Sequence, residues 1–153
     1  ALFWTTRAFL PPMLERDGGH IVTVASAAGF AGTARLTDYC ASKSAAVGFD
    51  DALRQELRQQ DSKVVTTIAC PYFTDTGMFD GAKTRFRWLL PILDPDEVTQ
   101  RIVKAIRKDR RRLVMPWFVY VVWPARLLPV SWFDGLMRFF GISDSMRDFR
   151  SGG

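Results

Sequence analysis

Apolar and β-branched residues run almost unbroken through His20-Ile21-Val22-Thr23-Val24-Ala25-Ser26 and again through Val64-Val65-Thr66-Thr67-Ile68-Ala69-Cys70. Runs of this length and composition predict strands buried on both faces of a parallel sheet. Between them Val47, Phe49, Leu53 and Leu57 recur at spacings near three and four, which predicts an amphipathic helix over 38–59. Thr37 or Asp38 would cap it. Ahead of the first strand, residues 2–15 suit a helix with Phe3, Phe9 and Leu10 among its apolar positions, kinked or locally broken at Pro11-Pro12. After Pro71, residues 72–93 read as a long loop dotted with apolar side chains, with a short helix near 77–82. Asp94-Pro95-Asp96-Glu97 is a helix start, with Asp94 as cap and Val98, Ile102, Val103 and Ile106 on the following face. Leu113-Val114-Met115 predicts a short third strand. Past Pro116, the aromatic and apolar run 117–123 leads into an amphipathic stretch over 132–140.

Strand, helix and strand alternate, so the architecture implied is α/β with a parallel sheet. The 153 residues, 48% of them apolar, make one domain or a piece of one with enough hydrophobic mass for a core. The first ten residues, Ala1 to Leu10, lack a basic leader and a small-residue cleavage site, so they are no secretory signal. They read as the middle of an apolar helix, which suggests a longer parent chain. Cys40 and Cys70 are the two cysteines and stand in no metal or redox spacing. Reduced thiols of this kind point to a reducing, cytoplasmic compartment. His20 is the single histidine; it is expected to open a strand, and no metal site is expected.

The chemistry concentrates in Tyr39-Cys40-Ala41-Ser42-Lys43, with Ser26 thirteen residues upstream at a strand end. Four residues apart on a helix, a phenol and an ammonium share one face and can point at one ligand. Free tyrosine and lysine titrate near ~10 and ~10.4, too high for either to serve alone as a base at neutral pH. A cation beside the phenol favours the phenolate.

These residues, together with Pro71-Tyr72-Phe73-Thr74-Asp75-Thr76, resemble the C-terminal part of a short-chain dehydrogenase/reductase. The last block follows the family's Pro-Gly-x-Val-x-Thr segment and departs from it at Tyr72 and Thr74. Within the family, Phe9-Leu10-Pro11, Gly19-His20-Ile21-Val22, residues 38–43 and residues 70–79 resemble the retinol dehydrogenase and type 11 17β-hydroxysteroid dehydrogenase group. The resemblance implies a Rossmann-type doubly wound parallel sheet, its C-terminal half only, over 1–115, followed by an apolar and amphipathic extension over 116–153. It implies an NAD(P)-dependent oxidoreductase that interconverts an alcohol and a carbonyl. Tyr39 would be the general acid/base, Lys43 would hold the nicotinamide ribose, and Ser26 would donate to the substrate oxygen. Pro71, Tyr72 and Phe73 would lay backbone against the nicotinamide, and Thr76 would bond its carboxamide. Tyr39 and Lys43 thus count toward both catalysis and the cofactor, NAD or NADP.

Two of the family's features are missing. No glycine spacing fits the dinucleotide turn, and a chain without Asn cannot carry the family's catalytic asparagine. A fragment of this kind is expected to hold NAD(P)H poorly in a fluorescence titration; tight binding would overturn that expectation.

The loop after Thr76 carries Met78, Phe79, Phe86, Trp88, Leu89, Leu90 and Ile92, enough apolar surface to cover a lipophilic substrate or to pack on its own domain. With the subgroup resemblance, this favours a retinoid, a steroid or a long-chain alcohol. Residues 1–100 hold 10 basic and 12 acidic side chains, whereas 101–153 hold 11 and 4. The basic run 107–112 just ahead of the aromatic run reads either as a peripheral contact with an anionic membrane surface or as a solvated helix end before a segment folded over the pocket. The uncharged stretch 113–125 has 13 residues, short of the ~17–25 that span a bilayer. No nucleic-acid module is present, and no nucleic-acid partner is expected. The helices over 2–15 and 38–59 resemble those that pair subunits in the family, implying a homodimer. The alternative to an enzyme is a catalytically inactive truncated member acting by dimerisation or membrane-surface binding.

Overall fold

The computed structural model describes residues 1–77 and 85–146. Three strands, β1 (Gly19–Val24), β2 (Val64–Pro71) and β3 (Arg112–Met115), form one parallel sheet in the order β1-β2-β3. Gly19 pairs with Val64 and Val24 with Ala69, while Ile68 pairs with Arg112 and Pro71 with Met115. The helices α1 (Leu2–Glu15) and α2 (Thr37–Gln59) pack on one face, and α3 (Pro95–Arg107) on the other. Such parallel connections require a helix between strands, and each gap in the chain supplies one.

The register decides which side chains meet which helix. Ile21 and Val64 join Leu53 and Leu57 of α2 and Leu10, Met13 and Leu14 of α1 in one cluster. Leu113 and Met115 join Val98, Ala105 and Ile102 under α3. Ile68, Cys70 and Val114 face the α2 side and enter the largest cluster, whose remaining members come from the loop after β1 and from residues beyond 116. Ile68 and Cys70 have no solvent exposure. Burial pushes the Cys70 thiol up to about 12, so this cysteine is an inert packing element and not a nucleophile.

The strand over 20–26 departs from the expectation of burial on both faces. Its Thr23 is buried, but Val22 and Val24 are 38% and 56% exposed. They point to the α3 side, and α3 packs over β2 and β3 without reaching β1. Burial of a strand's second face depends on the helix that crosses it, which the strand's own composition does not specify.

Two helix expectations also change. Helix α1 continues through Pro11 and Pro12, so of the expected kink or local break it is the break that is absent. Of its residues only Thr6 is buried, and Arg7 and Ala8, whose carbonyls lose their i+4 partners, are exposed residues at which solvent can replace the missing donors. Helix α2 starts at Thr37 with Leu36 at the cap position and no side-chain cap, so neither Thr37 nor Asp38 caps it. The α3 start follows the expected chemistry: the Asp94 carboxylate accepts from the Glu97 backbone N–H at 2.9 Å, with Pro95 in the first turn.

Beyond Pro116 the chain forms a 3-10 turn (Trp117–Val121), a short helix α4 (Val122–Ala125) and α5 (Val130–Phe139). Phe30 and Trp123 stack at 4.5 Å between centroids, and Arg126 Nε donates to the Phe30 carbonyl at 2.6 Å. Residues 117–142 thus lie against the loop that leaves β1. The short helix expected near 77–82 falls almost wholly outside the described residues.

Candidate active site

Ser26 sits two residues past the end of β1, where the chain turns into a short 3-10 segment (Ala27–Gly29). Its Oγ accepts from the Ala28 backbone N–H at 3.2 Å and donates to the Pro71 carbonyl at 3.3 Å. The hydroxyl therefore bridges the C-terminal ends of β1 and β2. The segment is fixed from the other side by α2. A Cβ on Gly29 would stand 2.8 Å from the Lys43 carbonyl oxygen, so only glycine lets the loop approach the helix this closely. The Ser44 hydroxyl donates to the Gly29 carbonyl at 3.0 Å.

Tyr39 and Lys43 lie one turn apart on the first half of α2. The Lys43 ammonium is 5.4 Å from the centre of the Tyr39 ring and donates to the Val24 carbonyl at 3.4 Å. That single long hydrogen bond leaves most of the ammonium's donor capacity for a ligand. The placement also explains the helix spacing: residues i and i+4 fall on one face, and this face meets the strand end that carries Ser26.

Ser26 and Tyr39 open onto one apolar cavity with Tyr72, Phe73 and Leu90. Its far side is built by Phe118, Val119, Val122, Met137 and Phe140. At about 50 Å³ the cavity is narrow beside the roughly 300–1,000 Å³ of sites that hold drug-sized ligands. Tyr72 is largely enclosed, its ring 4.7 Å from that of Phe73. Burial raises its phenol above the usual tyrosine value, so Tyr72 stays protonated and is a wall rather than a base.

Of the residues singled out above, Ser26, Tyr39, Tyr72 and Phe73 share the cavity, Lys43 stands beside Tyr39, and Pro71 meets Ser26 through its carbonyl. Thr76 is exposed, its backbone N–H bonds the Thr74 carbonyl at 2.8 Å, and it is not among the cavity residues. Within the apolar loop, Leu90 is buried in the cavity wall while Trp88 is exposed; Met78 and Phe79 lie outside the described residues. Of the two readings of the region beyond the basic run, the segment folded over the pocket agrees with the structure, in which residues between 118 and 142 line the cavity. Phe118, Val119 and Val122 turn inward while Trp117 and Tyr120 stay outside. The spacing of 118, 119 and 122 was the available signal, but a run flanked by Pro116 and Pro124 is ambiguous between strand and helix. Among the described residues no group of three or more His, Cys, Asp or Glu could hold a metal.

Parallel strands with Ser26 just past the C-terminal end of β1, and a tyrosine and lysine one turn apart on the crossover helix, define a class. The chain belongs to the short chain dehydrogenase family, whose model matches residues 1–85. It is 42% identical over 149 residues to the short-chain dehydrogenase/reductase family 16C member 6 of Bos taurus, covering 96% of this chain and 47% of that protein. It is 43% identical over 153 residues to retinol dehydrogenase 10 of Homo sapiens, covering 97% of this chain and 45% of that one. The chain spans about half the length of these relatives. Among solved structures, a short chain dehydrogenase from Burkholderia cenocepacia in complex with NADP has the same fold, with TM-score 0.65 and 20% identity over 88% of this chain and 54% of that one. A short chain dehydrogenase/reductase from Burkholderia phymatum in complex with NAD gives 0.63 and 23%, over 80% and 52%.

Proposed function

We propose that the full-length protein is an NAD(P)-dependent oxidoreductase that interconverts an alcohol and a carbonyl on a lipophilic substrate, such as a retinoid, a steroid or a long-chain alcohol. The observation that carries this reading is the convergence of Ser26 and Tyr39 on one apolar cavity, with Lys43 on the same helix face. Tyr39 takes the hydroxyl proton in oxidation and returns it in reduction. Ser26 donates to the substrate oxygen, where charge develops. The nicotinamide cofactor, when bound, accepts or supplies the hydride. Lys43, Pro71, Tyr72, Phe73 and Thr76 are the residues of this chain that would hold it, and the spare donors of Lys43 suit a ribose hydroxyl. The retinol dehydrogenases among the relatives favour a retinoid.

The cavity's narrowness has a consequence for substrate entry. A retinoid-sized molecule enters when Phe118 and Phe140, whose rings are 5.2 Å apart, turn aside. Once inside, each buried methylene contributes about 0.8 kcal/mol, so a series of alcohols of rising length tests the reading. With the upstream sequence joined to this chain, kcat/KM for straight-chain alcohols with NAD or NADP should rise about two- to fourfold per methylene until the wall is reached. A flat profile, or activity confined to short alcohols, would refute the lipophilic substrate.

Two surfaces favour a further reading of how the protein associates. Phe3, Trp4 and Phe9 of α1 are exposed, which supports a homodimer through α1 and α2. Leu127 and Trp132 are 88% and 70% exposed on the segment after β3, which supports peripheral contact with a membrane. No helix of the described residues is long and apolar enough to cross one. Sedimentation with and without anionic vesicles reads both: a monomeric mass sinks the first, and no co-sedimentation the second.

A further inference from the structure

The basic run over 107–112 is only partly explained by a role beside the aromatic segment. Arg112 turns toward α2, where its guanidinium pairs with Asp51 and stacks over Trp123. Arg111 lines a second cavity, of about 420 Å³, together with Arg54 and Arg58 of α2, Ser62, Asp61 and Thr66. This cavity lies over the N-terminal half of β2, at the end of the sheet opposite Ser26 and Tyr39. Its lining is mostly polar and is disjoint from that of the catalytic cavity.

The lining has unspent hydrogen-bonding capacity. Arg54 pairs with Asp51 at 2.9 Å, but the side chains of Arg58 and Arg111 make no ion pair or hydrogen bond with the described residues. Thr66 is 3% exposed and its hydroxyl makes no hydrogen bond of ordinary length with the described residues, though it lies near enough to the buried Asp50 carboxylate to lower that group's pKa. A buried hydroxyl so weakly held keeps donor capacity for a water, an ion or a ligand. Arg58 alone would be explained by its place in the last turn of α2, where a cation complements the helix end. Arg111 is not on a helix and has no such explanation. Asp61 on the rim and the buried Asp50 carboxylate near Thr66 oppose an anion, yet three arginines line the cavity, and only Arg54 among them has a carboxylate partner, Asp51.

We propose that this cavity binds a phosphate group, with the forked guanidiniums of Arg58 and Arg111 as its principal donors and Ser62 and Thr66 as hydroxyl contacts. Guanidiniums match the planar edges of phosphate oxygens and hold them by charge-assisted hydrogen bonds. The phosphate belongs either to a soluble phosphorylated compound or to a lipid headgroup. The site is independent of the proposed hydride transfer, since it uses none of the same residues.

Calorimetric titration of the whole chain with inorganic phosphate and with pyrophosphate, at low ionic strength, tests the soluble source. Flotation with phosphatidate vesicles tests the lipid source, against neutral vesicles. In whichever assay binding appears, the double variant Arg58→Gln, Arg111→Gln should weaken it at least tenfold, and Thr66→Val should weaken it several-fold. Both arginines lie at the cavity surface, so circular dichroism should show the parent fold for the double variant. Saturable phosphate or pyrophosphate binding lost in that variant supports a soluble ligand; flotation lost in it supports a headgroup. Absence of binding by the parent chain in both assays, or equal binding by parent and double variant, overturns the site. If the double variant fails to fold, Thr66→Val with Ser62→Ala decides in the same way.

Discussion

Tyr39→Phe is expected to lower kcat for alcohol oxidation by about 10²- to 10⁴-fold in the full-length protein, with KM changed little. The range is that of a positioned general base. The substitution removes one oxygen and leaves the ring, so the cavity wall made by Tyr39 and the contact between Lys43 and the ring keep their shape. Loss confined to kcat would identify an interaction made in the transition state, whereas a rise in KM with kcat retained would mark the phenol as a binding group only. Turnover equal to that of the parent removes the proposed mechanism altogether. Since Ser26 and Tyr39 act on the same oxygen, the double variant with Ser26→Ala should lose less than the product of the two single effects.

The largest expected effect on stability comes from Asp50, which the catalytic reading does not use. Asp50 lies on α2 and is 2% exposed, and neither carboxylate oxygen makes a hydrogen bond of ordinary length with the described residues, the Thr66 hydroxyl being a nearby polar group that partly offsets its burial. Burial, with the charge of neighbouring Asp51 as a second cause, pushes its pKa up to about 6. In the unfolded chain an aspartate titrates near ~3.9. Between these values the native state holds a proton that the unfolded state has lost, so stability falls as pH rises from about 4 to about 6. Above that window the native fold carries the full cost of a buried charge. Asp50→Asn removes the titration while keeping the shape. Relative to the parent, its unfolding free energy should be nearly unchanged at pH 4 and higher by about 2 to 3 kcal/mol at pH 7.5. Urea unfolding at the two pH values measures it. Parallel pH dependence of variant and parent would show that Asp50 is not the group responsible.

Both substitutions lie on a helix that could be read from the sequence almost to its ends. Val47, Phe49, Leu53 and Leu57 mark its buried face through a local period, and the Tyr39 and Lys43 spacing needs nothing beyond that period. Strands β1 and β2 were legible for the same reason, as was the Asp94 cap, which depends on four adjacent residues. What stayed hidden depends on partners far along the chain. The exposure of Val22 and Val24 follows from where α3 lies, and although a segment folded over the pocket was one reading of the region past Pro116, which of its side chains turn inward was not legible. The second cavity joins Arg58 and Arg111, 53 positions apart in sequence, and nothing local to either residue announces the other. Thr76 shows the converse: a residue can match a motif while it stands outside the cavity that Tyr72 and Phe73 of the same block line.

The hydrogen bond from Ser26 to the Pro71 carbonyl bears on how a substrate is admitted. At 3.3 Å it is a long bond for a hydroxyl donor, strong enough to aim the group and weak enough to be given up. In the proposed mechanism a substrate oxygen competes with a backbone carbonyl for the Ser26 proton, held in the cleft between two strand ends. Such an exchange adds little net affinity, because one hydrogen bond replaces another. Its yield comes later, when the substrate oxygen gains negative charge and outbids a neutral carbonyl. The strand ends thus act as a placeholder that discriminates between an uncharged ligand and one on its way to reacting.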